Sequence, residues 1–161
     1  MSGTHIESTT EAARLKVLHV IPSIARATGG PVEALIGFVN SLSDRAEVTV
    51  ASTQEDLDAD GREWFQSAIG DAKLETFSQR GKHTTSISGA LFRWLNNHIA
   101  DFDVVHIHAL LHPISTTAAF IARRHKIPYV VRPLGTLSEY TLGTGKALLK
   151  RLYLATIERH T

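Results

Sequence analysis

The stretch Lys16–Leu35, KVLHVIPSIARATGGPVEAL, decides how the whole chain is read. Its opening, KVLHVIP, is a continuous β-rich run ended by Pro22, as expected of a strand buried on both faces at the centre of a sheet. From Pro31 the period changes: Leu35, Phe38, Val39 and Leu42 recur at helical spacing, which predicts a helix to about Ser43. Proline suits the first helical position, where its missing N–H costs nothing. Between strand and helix stand Gly29 and Gly30. A plain connector needs one glycine, so the pair raises the question of a bound ligand.

The alternation continues along the chain. EVTVAST (47–53) is a second strand, 56–69 a surface helix carrying Trp64, Phe65 and Ile69 inward, and KLETF (73–77) a short strand. Ile87, Leu91, Trp94, Leu95, His98 and Ile99 form one helical stripe, with Thr85 or Ser86 available as its cap. DVVHIH (103–108) is the clearest strand. A helix over 113–125 and the strand IPYVV (127–131) follow it, and then a loop leads to a last helix from Lys146. Strands alternating with helices predict an α/β fold: a doubly wound parallel sheet with helices on both faces and right-handed crossovers.

In such sheets ligands bind beyond the carboxyl ends of the strands, which selects the loops 22–30, 108–112 and 132–139. In the first, a helix N-terminus and two glycines would let a phosphate approach the backbone closely. The loop lacks the Gly-Lys-Ser/Thr of a Walker sequence and is not G-x-G-x-x-G, so nucleotide hydrolysis and dinucleotide redox chemistry lose support. In the second, His106 and His108 share one strand face, because side chains alternate with period two. His108, at the strand end, is expected to titrate near neutral pH and to serve as donor or base; His106 is expected as a buried, hydrogen-bonded core residue. The series His106, His108, His112 lacks a nearby cysteine or carboxylate, which argues against a zinc site. In the third, Arg132 offers a planar fork for phosphate or carboxylate, followed by Pro133, Gly135, Thr136 and Ser138.

Composition fits one ordinary globular domain: 161 residues, 43% of them hydrophobic, are enough for a real core. A net charge of +1 argues against nucleic acid as a partner. The charges are unevenly placed, however. Acids outnumber bases seven to two over 55–75, and seven Arg and Lys face the single acid Glu139 over 121–151. That basic third could meet phosphates or an anionic membrane surface. Without cysteine there is no thiol chemistry. Residues 1–14 are polar and no run approaches the ~18 apolar residues of a spanning helix, so a frayed tail and a soluble, cytoplasmic protein are expected.

In order and spacing, KVLHVIPSIARATGGPVEAL, DFDVVHIHALLHP and IPYVVRPLGTLSEYTL…KRLYLATIER resemble the N-terminal domain of group 1 glycosyltransferases, also called family 4, of GT-B fold. The resemblance spans Lys16 to Arg159. It implies one of two Rossmann-like domains facing across a cleft, this one holding the acceptor and the other most of a nucleotide-sugar. It implies transfer with retention of configuration, without a cofactor or bound metal, to a polysaccharide or lipid-linked acceptor. Gly29 and Gly30 would approach the donor diphosphate or the acceptor, and His112, Gly135 and Thr136 would lie on the acceptor side.

The chain departs from the family pattern at Leu134, where many members carry a histidine or arginine before the glycine. Arg132 or His108 is the expected replacement as catalytic residue. The donor-binding domain, with its paired glutamates, is absent from 15–161, and the last predicted helix runs on without a stop signal; the fragment alone is expected to be inactive. Two alternatives stand beside this: a non-catalytic sugar- or phosphate-binding module or subunit of a split enzyme, and half of a GT-B nucleotide-sugar epimerase. Lys146, Lys150, Arg151 and Arg159, beside Leu148, Leu149, Leu152 and Leu154, would suit peripheral membrane contact or packing against the missing domain.

Overall fold

A computed structural model describes residues 13–82 and 85–134. The expected tail, apart from its last two residues, and everything predicted beyond Leu134, including Gly135, Thr136 and the basic helix, lie outside the described residues. Within them run β1 (Leu15–Ser23), α1 (Gly30–Leu42), β2 (Ala46–Thr53), α2 (Ala59–Ala68), β3 (Lys73–Phe77), α3 (Gly89–His98), β4 (Val104–His108), α4 (Pro113–His125) and β5 (Tyr129–Arg132). The five strands form one parallel sheet of order β3-β2-β1-β4-β5. This is the doubly wound, Rossmann-like arrangement, and the order reverses between β1 and β4.

Period two in β1 divides the core. Leu18 and Val20 face α3 and α4 with Val105, Ile107 and Ile121, whereas Val17 and Ile21 face α1 and α2 with Leu35, Val39 and Phe65. Each such side chain, buried against one face or the other, contributes about 1.5–3 kcal/mol. β1 passes Pro22 and ends at Ser23, with a register irregularity between Ile21 and Ser23. Proline cannot donate to the ladder, so it disturbs the strand there without ending it.

The helix starts differ from expectation in instructive ways. α3 is capped by Ser88, whose hydroxyl donates to the Ser78 carbonyl at 2.6 Å and accepts from Leu91 N–H at 3.1 Å. Ile87 therefore precedes the helix, pairs with Arg80 in an antiparallel bridge and is 56% exposed. The stripe's spacing was compatible with an earlier start, but a hydroxyl that satisfies two backbone groups holds the cap at Ser88. Ser88→Ala is expected to lower stability by about 1–2 kcal/mol. A urea midpoint that falls with an unchanged m value would show it; an unmoved midpoint would show that the cap is dispensable. Asp58 plays the same role for α2, accepting from Gly61 N–H at 2.7 Å, so that helix begins later than the expected Asp56.

Candidate active site at the carboxyl edge of the sheet

β1, β4 and β5 are adjacent, so the loops that follow them leave the same edge of the sheet side by side. After β1 comes a 3-10 turn, Arg26–Thr28, and then Gly29 as the N-cap of α1. Its φ of 66° and ψ of −128° lie where side chains are strongly disfavoured, which accounts for one glycine of the pair. Its carbonyl accepts from Val32 and Glu33 N–H, leaving Gly30 at the first helical position. A Cβ on either glycine would meet nothing within 4 Å, so neither makes room for this chain's own atoms.

Below that loop, three imidazoles share the α1 side of the sheet. His19 of β1 is in register with His106 of β4, and His108 is its diagonal neighbour. His19 Nδ1 and His108 Nε2 are hydrogen-bonded at 2.9 Å, and the His106 and His108 ring centroids stand 4.2 Å apart. Phe38 of α1 meets the His106 ring edge-on at 5.3 Å. It lies on the helix side that reaches the histidines and is 38% exposed, so it belongs to this site more than to the core stripe in which its spacing placed it.

The burial of the three rings reverses the sequence expectation. His108 is fully buried, as is His19, whereas His106 is only half-buried. Burial pushes His108 down to about 3, aided by His106, His19 and Arg132, so it does not titrate near neutral pH as expected. Burial and His106 lower His19 to about 3 as well. His106 is lowered by burial and by Arg132. All three are neutral at pH 7 because a charged ring would lose its hydration without gaining a counter-charge.

Arg132 is the last residue of β5 and lies in register with His108, hence on the same face. Its guanidinium sits over Phe38 at 5.1 Å, and Nη1 is buried without a hydrogen-bond partner among the described residues. Val130, one step back on that face, is 57% exposed, so among the described residues nothing covers β5 there. A half-buried cation whose donor and sheet face are both uncovered by the described residues can accept an anion.

The loop after β4 holds Ala109 and Leu111 at φ 77° and 59°, and Leu134 after β5 is at 51°. Backbone strain of this kind, about 1–3 kcal/mol per residue, gathers where structure is held for function. No sequence signal marks Ala109 or Leu111. His112 does not join the other histidines: it caps α4, its Nδ1 accepting from Ile114 N–H at 3.2 Å. Ser115 Oγ donates to the His108 carbonyl at 3.0 Å and Ala109 N–H to the Arg132 carbonyl at 3.0 Å, which ties helix, loop and both strand ends together. His19 was the residue missed, though a histidine inside an unbroken apolar strand is itself a signal. A concavity of about 1130 Å³ lined by Lys16, Lys73, Asp71 and Trp94 lies at the opposite strand edge and shares none of these groups.

One solved structure agrees with the architecture. A solved structure from Listeria monocytogenes, described as a candidate UDP-N-acetylglucosamine 2-epimerase, superposes with a TM-score of 0.54 at 18% identity, covering 87% of this chain and 36% of that one. Another, described as AtPrR2 in apo form, gives a TM-score of 0.45 at 14% identity, covering 90% of this chain and 45% of that one. The chain thus spans less than half the length of either. No curated protein sequence matches. Among the described residues no helix is long and apolar enough to cross a membrane. The sequence profile of the Glycosyl transferase 4-like domain covers residues 29–161, well over half of the chain, from the double-glycine loop onward. That match, on a chain with this strand order and loop edge, makes the chain a member of the glycosyl transferase 4-like domain family.

Proposed function

We propose that this domain forms the acceptor side of a retaining glycosyltransferase, which moves a sugar from a nucleotide-sugar to a polysaccharide or lipid-linked acceptor without a metal in the transfer step. The observation that carries the reading is Arg132 Nη1, a buried donor at the carboxyl edge of the sheet with no partner among the described residues. A diphosphate or an acidic acceptor would supply the anion it lacks. Gly29 and Gly30 would line the approach to that anion, and His112, Gly135 and Thr136 would lie on the acceptor side. His108 is too buried to touch substrate, so its part would be to support the strand end beneath Arg132.

The nucleotide-sugar is assigned to a second domain, either continuous with this chain or a separate partner, because stabilising the transition state needs both walls of the cleft. The 161-residue chain alone is therefore expected to transfer no sugar from any nucleotide-sugar, and the protein with its donor-binding domain to form a glycosylated product. Transfer by the isolated chain would overturn the division of labour. Conversion of a nucleotide-sugar into its epimer with no acceptor present would overturn the transferase reading in favour of the epimerase one, which the Listeria structure motivates.

A further inference from the structure

His19, His106 and His108 each offer a ring nitrogen, and these atoms all lie within 4.8 Å of one another. A neutral imidazole has one N–H and one lone pair. The His19–His108 bond uses one of each and leaves His19 Nε2 and His108 Nδ1 without partners among the described residues, both in rings with no exposed surface. In either tautomer one of these two is an N–H and the other a lone pair, so the cluster is incomplete as it stands. The nitrogens that face each other at 2.9 Å, with the His106 ring beside them, are the ones a cation could take in place of the shared proton, each ring then turning its N–H away from the ion.

We propose that these three imidazoles bind a divalent transition-metal ion of the zinc class, which braces β1 against β4 beneath the loop edge. Three histidines from two adjacent strands are a set that zinc accepts in tetrahedral geometry, with Zn–N of about 2.0–2.1 Å and a fourth position left for another ligand. Imidazole nitrogens also favour zinc, copper and nickel over magnesium or calcium. Such an ion would replace the His19–His108 hydrogen bond and draw together three nitrogens that now lie within 4.8 Å of one another. His106, the half-buried member, gives the ion a way in. Arg132, in register with His108 on the same face, disfavours a bare dication and favours one whose fourth ligand is an anion such as hydroxide. The ion is separate from the sugar transfer proposed above, and its test does not use activity.

The chelator-treated chain would be titrated with zinc chloride alone, by calorimetry and by competition with a chromogenic chelator. One zinc per chain and a rise in Tm with zinc concentration are expected. His106→Ala removes a half-buried ligand; it is expected to leave the zinc-free Tm nearly unchanged and to weaken zinc binding at least ~100-fold, beyond the loss usual for a supporting residue. His98→Ala, which alters an exposed histidine paired with Asp101 at 3.3 Å, should bind zinc like the unaltered chain. The proposal is overturned if the unaltered chain shows no saturable zinc binding. It is equally overturned if His106→Ala binds as tightly as the unaltered chain, or if His98→Ala abolishes binding.

Discussion

Acidification from pH 7.5 to pH 5, in chelator-treated protein, should remove about 4 kcal/mol of folding stability. His19 and His108 are buried and held neutral down to about pH 3, whereas in the unfolded chain each protonates near 6.5. The unfolded state therefore binds more protons throughout that window, and stability falls as pH falls. It is fully present above pH 6.5 and is lost progressively from there toward pH 3. At ~1.4 kcal/mol per pH unit, each ring contributes about 2 kcal/mol between pH 6.5 and 5. His106 adds to the loss in the same direction.

Domains of this size hold roughly 5–15 kcal/mol in total, so the urea midpoint should drop sharply. The dependence between pH 6 and 5 should correspond to the uptake of about two protons on unfolding. In His19→Leu, which replaces a titrating ring with an apolar side chain, that uptake should fall toward one. Equal midpoints at pH 7.5 and 5 would show that the rings titrate as exposed histidines do, and the burial described above would be wrong.

The histidine cluster also shows where sequence reading stops. The period-two and period-3.6 patterns in KVLHVIP and in Leu35–Leu42 were enough for strand, helix and parallel sheet, because core burial and backbone periodicity are the same physical fact seen twice. Period two also put His106 and His108 on one face. It could not show that β4 lies beside β1 with His19 in register opposite His106, since the order β3-β2-β1-β4-β5 is a long-range pairing. His112 looked like a third member by spacing, yet the turn through Ala109 and Leu111 sends it to the N-terminus of α4. Ser88 was passed over as a cap for a related reason: its second partner, the Ser78 carbonyl, comes from the segment after β3. Arg132 was legible because a strand end and an anion-binding side chain coincide in one residue. Its missing partner was not.

Arg132→Ala is accordingly expected to lower kcat/KM of the complete enzyme about 100-fold, the ~3 kcal/mol lost when a preorganised charged donor is removed from a site of developing negative charge. The side chain is already in place before substrate arrives. It extends from the last residue of a strand, its guanidinium rests on Phe38, and one of its donors is buried with no partner among the described residues. Arg132→Lys should recover only part of the loss, because an ammonium keeps the charge without the two-pronged donor geometry. Folding should respond differently from activity. Alanine loses the contact with Phe38, worth about 0.5–2 kcal/mol, but also removes a cation that stands near the neutral His106 and His108 rings with no acid paired to it among the described residues. These effects oppose each other, so the urea midpoint should stay within about 1 kcal/mol of the original. A merely structural arginine would show the reverse, a lower midpoint with kcat/KM preserved. If kcat/KM changed less than twofold, the carboxyl edge of β5 would hold no anion during transfer, and the acceptor-side reading of Arg132 would fall with it.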